Sequence, residues 1–219
     1  MSKKRIGIAV MALGMFLWAA AAYASPEAPR LLSPPMALPV PSGFLKVLLL
    51  LTFFVHLVLV NVLLGSVILS VIDRRASASD RKGGVAFMPK VLALAVNFGV
   101  APFLFLQVLY GHFLYPSIVL MAALFAVLAY YGLYVSDGAV RPARRTPILF
   151  LSALLLLMTA FLLSNASTLM LRPDFWFRWF SEPHGHLLNT SDPTLFPRYL
   201  HILLASLAVG GLTMAWRAR

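Results

Sequence analysis

The sequence contains no cysteine and few charged residues. Without cysteine the chain can form no disulfide, no thiol nucleophile, no cysteine-ligated zinc or iron–sulfur site and no thioether-attached haem. Only 11% of its 219 residues are charged, and seven of them are acidic. A soluble domain usually carries about 25% charged residues. The composition therefore excludes ordinary soluble enzymes and nucleic-acid-binding modules.

Apolar residues dominate what is present. They make up 61% of the chain, and the mean hydropathy is +0.87. A soluble core cannot bury so large an apolar fraction, so the composition predicts an integral membrane protein. The formal net charge is +11. In a membrane protein Lys and Arg concentrate in cytoplasmic loops, so this charge requires no nucleic-acid partner.

The first residues have the pattern of a secretory signal peptide. Residues 3–5 are basic, residues 6–21 are apolar, and Ala22 and Ala24 form a small-x-small cleavage signal. We therefore predict a cleaved signal peptide over residues 1–24. An uncleaved anchor helix is the alternative, because the apolar run is near the upper length for a signal peptide.

A proline-rich lead-in and five apolar segments follow. Residues 25–43 contain six prolines, too many for a helix, and are predicted to form an extended periplasmic lead-in. Each later segment approaches or exceeds the about 20 helical residues that cross a hydrocarbon core. The segments are residues 44–72, 91–113, 117–135, 147–171 and 199–216. The sequence thus predicts an all-α fold, a bundle of five transmembrane helices over residues 44–216.

The basic residues between these segments predict the orientation of the bundle. Residues 73–90 hold five Lys or Arg residues, residues 141–145 hold three and the C-terminal tail holds two. In the loop over residues 172–198, three arginines are balanced by three acidic residues. The positive-inside rule then places the N-terminus and this loop on the outer side of the membrane. For the predicted location, a bacterial inner membrane, the outer side is the periplasm. The predicted signal peptide supports the same orientation.

Three histidines are the most informative polar residues of the predicted spans. His56 lies in the middle of the first span, His112 ends the second and His201 begins the fifth, all in the predicted outer half of the membrane. A histidine in hydrocarbon is costly and usually has a function and a partner. The alternatives are an interhelical hydrogen bond for His56 or His201 and a simple interfacial position for His112.

Haem b suits these histidines better than zinc. Zinc commonly takes four ligands, and no such set converges in the sequence, whereas haem needs one or two axial side chains and an apolar slot. Ala205 and Ala208 share the helical face of His201 and fit such a slot, although helix packing uses the same small residues. Candidates for a sixth iron ligand are Met158, Met170 and Met214, although a methionine in an apolar span more often serves packing.

A polar stripe ends the fourth predicted span. Asn165, Thr168 and Arg172 share one helical face, which is predicted to emerge at the outer surface. The stripe would suit a quinol head group or a haem propionate, with Arg172 as the charge partner, and interhelical hydrogen bonding is the alternative. In the loop that follows, the five aromatic residues between positions 175 and 180 are typical of an interfacial belt. His184 and His186, later in the loop, are predicted to lie in a solvated segment.

The order of these motifs resembles the N-terminal half of subunit I of the cytochrome bd quinol oxidase family. The matching motifs are His56 to Gly65, Asn97-Phe98-Gly99, Gln107 to Gly111, Ser164-Asn165 through Arg172-Pro173, and Tyr199 to Ser206. In that family the residues that match His56 and His201 bind different haems, so the resemblance is compatible with one haem in this bundle, with two, or with one shared with a partner. The family's subunit has about twice as many helices, a large quinol-binding loop, a Met ligand in its second half and membrane glutamates, whereas five spans and no carboxylate within them are predicted here.

These observations predict a haem b-binding membrane subunit of a respiratory electron-transfer complex. Its electrons would pass between membrane quinol and a periplasmic redox partner such as a c-type cytochrome, in contact with other subunits and membrane lipid. The inner halves of the predicted spans offer no titratable proton relay. We therefore expect at most a subunit of a quinol-dependent oxidoreductase, not an oxygen reductase on its own. A cofactor-free anchor or assembly subunit is the alternative.

The predicted orientation can be tested with a reporter that is active only in the periplasm. Fused within residues 183–194, the reporter should be active, because this loop carries no excess of positive charge. Fused within residues 76–79, between basic residues, it should be inactive. The reverse pattern would place His112 and His201 on the cytoplasmic side and contradict a periplasmic partner.

Overall fold

The computed structural model of the protein describes residues 40–72, 86–110, 116–138, 142–172 and 188–218. The predicted signal peptide, most of the proline-rich lead-in, His112, His184 and His186 lie outside these residues. The described residues form α-helices with short turns at their ends and contain no strand.

Five helices of 23 to 31 residues account for nearly all of the described residues. They are α1 (Ser42–Ile72), α2 (Met88–Tyr110), α3 (Pro116–Gly138), α4 (Pro142–Met170) and α5 (Leu195–Arg217). All five are long and apolar enough to cross a membrane. The prediction of an all-α fold with five membrane-spanning helices is therefore confirmed, and the chain is a multi-pass membrane protein.

Prolines explain where the helices begin. Pro116 and Pro142 are the first residues of α3 and α4, where the missing N–H has no helical partner to lose. α5 begins at Leu195, four residues before the predicted start at residue 199. Pro197 is compatible with this start, because the N–H groups of a first turn have no helical partner to lose. Pro147, predicted to begin its helix, lies inside α4. A helix interior tolerates proline better in a membrane bundle, where neighbouring groups satisfy the freed carbonyl.

Helix α1 lies between α2 and α5 and packs extensively against both, while α3 and α4 form a second close pair. Smaller contacts join α1 to α4, α4 to α5 and α2 to α3. The main apolar core is built where α1, α2, α3 and α4 meet, from Leu63, Leu64, Val67, Met88, Leu92, Ala129, Leu133, Leu149, Ala153 and Leu156. A smaller cluster between α3 and α4 contains Ile118, Ala122, Leu162, Ala166 and Leu169.

The crossing of α1 and α5 is a contact between backbones. The Cα position of Gly65 faces the Ser206 carbonyl, and a Cβ on Gly210 would lie 2.6 Å from the Gly65 Cα. Beside this contact the Ser206 Oγ donates a hydrogen bond to the Asn61 Oδ1 at 2.7 Å. Close approach through small residues is how membrane helices gain packing energy, since lipid gives them little hydrophobic drive to associate. The crossing therefore fixes α1 and α5 side by side.

Gly210→Ala should destabilise the bundle, because the added Cβ meets the backbone of α1 with no flexible side chain to yield. Overpacking of this kind typically costs about 1–3 kcal/mol. The matched control is Gly211→Ala, whose Cβ would meet only the Leu69 Cδ1 at 3.7 Å, an ordinary contact. Thermal unfolding of the purified proteins in detergent measures the difference. Equal melting temperatures for the two variants would contradict a backbone contact at this crossing.

Candidate functional site

His56 is joined to the backbone of the neighbouring helix. Its Nδ1 lies 2.7 Å from the Ala95 carbonyl oxygen of α2. A carbonyl can only accept, so Nδ1 carries the proton and donates it. In the neutral imidazole, Nε2 is then the nitrogen with a free electron pair. The ring is half-buried, and the Phe53 ring stacks beside it at a centroid distance of 6.3 Å.

Gly99 provides the surface on which the His56 ring lies. A Cβ on Gly99 would be 2.7 Å from the His56 Cε1 and 2.8 Å from its Nδ1. Both distances are far shorter than van der Waals contact, so only glycine allows the ring to reach the Ala95 carbonyl in this position. Sequence reasoning placed Gly99 in a motif but missed this contact. The available signal was a glycine inside a predicted membrane span, one helical turn after Ala95.

The interhelical hydrogen bond that we gave as the alternative role of His56 is present. It uses Nδ1, whereas a metal would bind the free electron pair of Nε2. The two roles are therefore compatible, and ligation of haem by His56 stays a prediction.

His201 lies at the same depth as His56 but on another side of the helix pair. Helices α1 and α5 run parallel, since Asn61 pairs with Ser206 and, further along both helices, Gly65 meets Gly210. His56 is five residues before Asn61 on α1, and His201 is five residues before Ser206 on α5. Five helical residues correspond to a rise of about 7.5 Å and a rotation of about 140° around the helix axis. His56 consequently faces α2, and His201 is exposed on α5.

The structure therefore does not bring the two rings together. His201 lies one turn after Arg198 and one turn before Leu204, which is 58% exposed on the same side of α5. Ala205 is half-buried and Ala208 exposed. Of the candidate sixth ligands, Met214 lies about 20 Å along α5 from His201, too far to share an iron atom with it.

Asn165 belongs to a polar network where α4 ends, which we call the loop network. The network consists of Asn165, Thr168, Arg172, Asn189, Asp192 and Thr194. The Asn189 backbone N–H donates to the Asn165 Oδ1 at 2.7 Å. The Asn189 Nδ2 donates to the Thr168 Oγ1 at 3.2 Å and to the Asp192 Oδ2 at 3.3 Å. Asn165, Thr168 and Asn189 are buried, so these bonds attach the segment before α5 to α4.

Asp192 connects this network to Arg172 and to the start of α5. Its Oδ2 lies 3.5 Å from the Arg172 guanidinium, and its Oδ1 accepts hydrogen bonds from the Thr194 Oγ1 at 2.6 Å and backbone N–H at 2.7 Å. These bonds from Thr194, followed by the nearby charge of Arg172, lower the pKa of the Asp192 carboxyl from its ordinary value. The carboxylate is therefore ionised at neutral pH and holds the turn that leads into α5.

Asn165 and Arg172, the two predicted contacts for a quinol or haem propionate, thus have partners within the protein. This geometry matches the hydrogen-bonding alternative, with a loop rather than a helix as the partner of Asn165. The Arg172 side chain keeps 40% exposure, and a ligand role for it stays a prediction. The sequence analysis did not predict that Asn189 pairs with Asn165 or that Asp192 accepts from Thr194. A signal for the second bond was available, because an Asp side chain often accepts from the backbone N–H two residues later in a turn.

The chain matches no family model, no curated protein and no solved structure. The function proposed below therefore rests on the residues of the chain itself.

Asp192→Asn should lower the melting temperature by a few degrees at pH 7, because the amide cannot replace the carboxylate in all its hydrogen bonds. A carboxyl whose pKa is lowered by folding stabilises the fold above its unfolded pKa of about 4 and loses that effect as pH falls further. The difference between the variant and the wild type should therefore disappear in acid. The measurement is the melting temperature against pH.

Thr194→Val is the matched control, since it removes the hydroxyl donor and keeps the backbone donor to Asp192. Its destabilisation should be smaller than that of Asp192→Asn. A destabilisation by Asp192→Asn that stayed constant from neutral to strongly acidic pH would contradict a role for the ionised carboxylate.

Proposed function

We propose that this chain is a haem b-binding membrane subunit of a respiratory electron-transfer complex. The observation that carries the proposal is the His56 imidazole, whose Nδ1 is bound to the Ala95 carbonyl at 2.7 Å. Histidine ligands of metals almost always donate their other ring N–H to a carbonyl, a carboxylate or water, which fixes the ring and raises its basicity. The bond at His56 has this form, so its Nε2 would be the nitrogen that holds the haem iron.

The haem, when bound, supplies one-electron redox chemistry. The chain supplies an apolar setting, a fixed imidazole at His56 and a second imidazole at His201. Because His201 is exposed on α5 and a polar side chain facing hydrocarbon is costly, we propose that another subunit of the complex covers this side. The two sites then lie at one depth on different sides of the α1 and α5 pair.

We propose membrane quinol as the electron donor and a periplasmic c-type cytochrome as the acceptor. The part-exposed Arg172 guanidinium, held by Asp192, can donate hydrogen bonds to a quinol oxygen or a propionate. The loop network fixes this side chain at the predicted periplasmic end of the bundle, where protons from quinol would leave directly to the periplasm. The cellular location proposed is the bacterial inner membrane, with the N-terminus periplasmic.

A cofactor-free anchor or assembly subunit is the second candidate. The observation in its favour is that His56, Asn165 and Arg172 all find hydrogen-bonding partners inside the protein. Polar residues that hold a membrane bundle together need no further function. The presence or absence of haem separates the two candidates directly.

A dithionite-reduced minus oxidised spectrum of the purified wild type should show a b-type band. His56→Ala should abolish the contribution of one haem and His201→Ala that of another, because each removes the axial nitrogen of its site. Thr52→Ala, one turn from His56 on α1, is a control that removes a hydroxyl bonded only within α1. Its spectrum should match the wild type.

Wild-type protein that carries no haem, even when it is produced with added haem, would favour the anchor function. Haem that survives both histidine substitutions unchanged would place the ligands elsewhere. Circular dichroism of each variant confirms that the helices are retained.

A further inference from the structure

We propose that the backbone of α2 at Ala95 and Gly99 positions His56, so that Nε2 is its ligand nitrogen. Gly99 and the Ala95 carbonyl are positioning groups in this proposal, and neither would touch a ligand. The part that concerns haem rests on the proposed function. The part that concerns the tautomer of His56 stands on the geometry of α1 and α2 alone.

The Ala95 carbonyl selects the tautomer. In an α-helix this carbonyl also accepts from the Gly99 N–H, and its second lone pair is available to a side chain. The His56 Nδ1 takes that position at 2.7 Å. The alternative tautomer would set two lone pairs against each other at this distance, so it is disfavoured wherever the two helices stay packed.

Gly99 determines whether the imidazole can reach the carbonyl. A Cβ at this position would be 2.7 Å from Cε1, 2.8 Å from Nδ1 and 3.5 Å from Nε2 of His56. The ring would have to rotate or withdraw from α2, and either movement lengthens the hydrogen bond. Glycine in a helix interior is unfavourable by about 1 kcal/mol relative to alanine. The close approach of the ring gives a physical reason for glycine here.

The hydrogen bond to Nδ1 also sets the chemistry of Nε2. Donation from Nδ1–H to a carbonyl makes Nε2 more basic. A more basic axial nitrogen favours oxidised over reduced iron. Gly99→Ala should therefore weaken haem binding by about 10-fold or more and raise the reduction potential of the His56 haem.

The first experiment uses the full chain in nanodiscs without haem, labelled with ¹⁵N-histidine and assigned with His56→Ala. Solid-state NMR should show the His56 Nδ1 protonated and Nε2 unprotonated at neutral pH. In Gly99→Ala the His56 signals should change to a mixture of tautomers. The matched control Gly211→Ala should leave them unchanged, because its Cβ meets only the Leu69 Cδ1 at 3.7 Å.

A wild-type His56 that carries its proton on Nε2, or a Gly99→Ala spectrum identical to the wild type, would overturn the proposal whether or not haem binds. In haem-loaded protein, a potential unmoved by Gly99→Ala would overturn the effect on Nε2. Absence of haem from the wild type would instead contradict the proposed function. The NMR result would then still test whether Ala95 and Gly99 position the His56 ring.

Loss of folding in Gly99→Ala is separated from loss of positioning by a double variant. His56→Ala/Gly99→Ala has no ring for the new Cβ to meet, so it should be as stable as His56→Ala. A double variant that is clearly less stable than His56→Ala would show that Gly99 serves another contact and would overturn the proposal.

Discussion

The contact between the backbones of α1 and α5 is the constraint on which the rest of the arrangement depends. Gly65 and Gly210 leave no side chain between the helices, and Ser206 adds a hydrogen bond to Asn61 at the same crossing. A contact this close permits one register only, since shifting either helix by a residue would place a side chain in the crossing. The register sets His56 and His201 at one depth and turns them to different sides.

Hydrogen bonds between segments hold the remaining parts of the bundle together. In hydrocarbon there is no water to satisfy a polar group, so a buried polar side chain gains stability from a protein partner. His56 finds the Ala95 carbonyl, and Asn165 finds the backbone of Asn189. The first bond joins α1 to α2, and the second holds the segment before α5 against α4. The proposed site therefore uses the same bonds as the fold, since a cofactor at His56 would bind Nε2, which makes no hydrogen bond to the described residues.

The two histidines show how far reasoning from residue type extends. A histidine within an apolar span is expected to have a role, and the sequence singled out both. Nothing in the sequence shows which of them has a partner on a neighbouring helix, yet His56 is bonded to α2 and His201 is exposed. The stripe of Asn165, Thr168 and Arg172 is similar. Helical spacing predicted that the three share one face, and the structure joins them in one network, although Arg172 lies beyond Met170, the last residue of α4. Their partners Asn189 and Asp192 come from a segment about 20 residues later, whose path depends on the loop.

The sequence by itself determined that the protein is an all-α membrane bundle of five spans, because apolar length and helical hydrogen bonding in lipid depend only on local composition. It also identified which polar residues are unusual. Only the tertiary structure decided which helices are neighbours, that Gly99 receives the His56 ring and that Asn165 binds a loop. These contacts join residues far apart in the chain, and they depend on the rotation and register of whole helices, which no local pattern specifies.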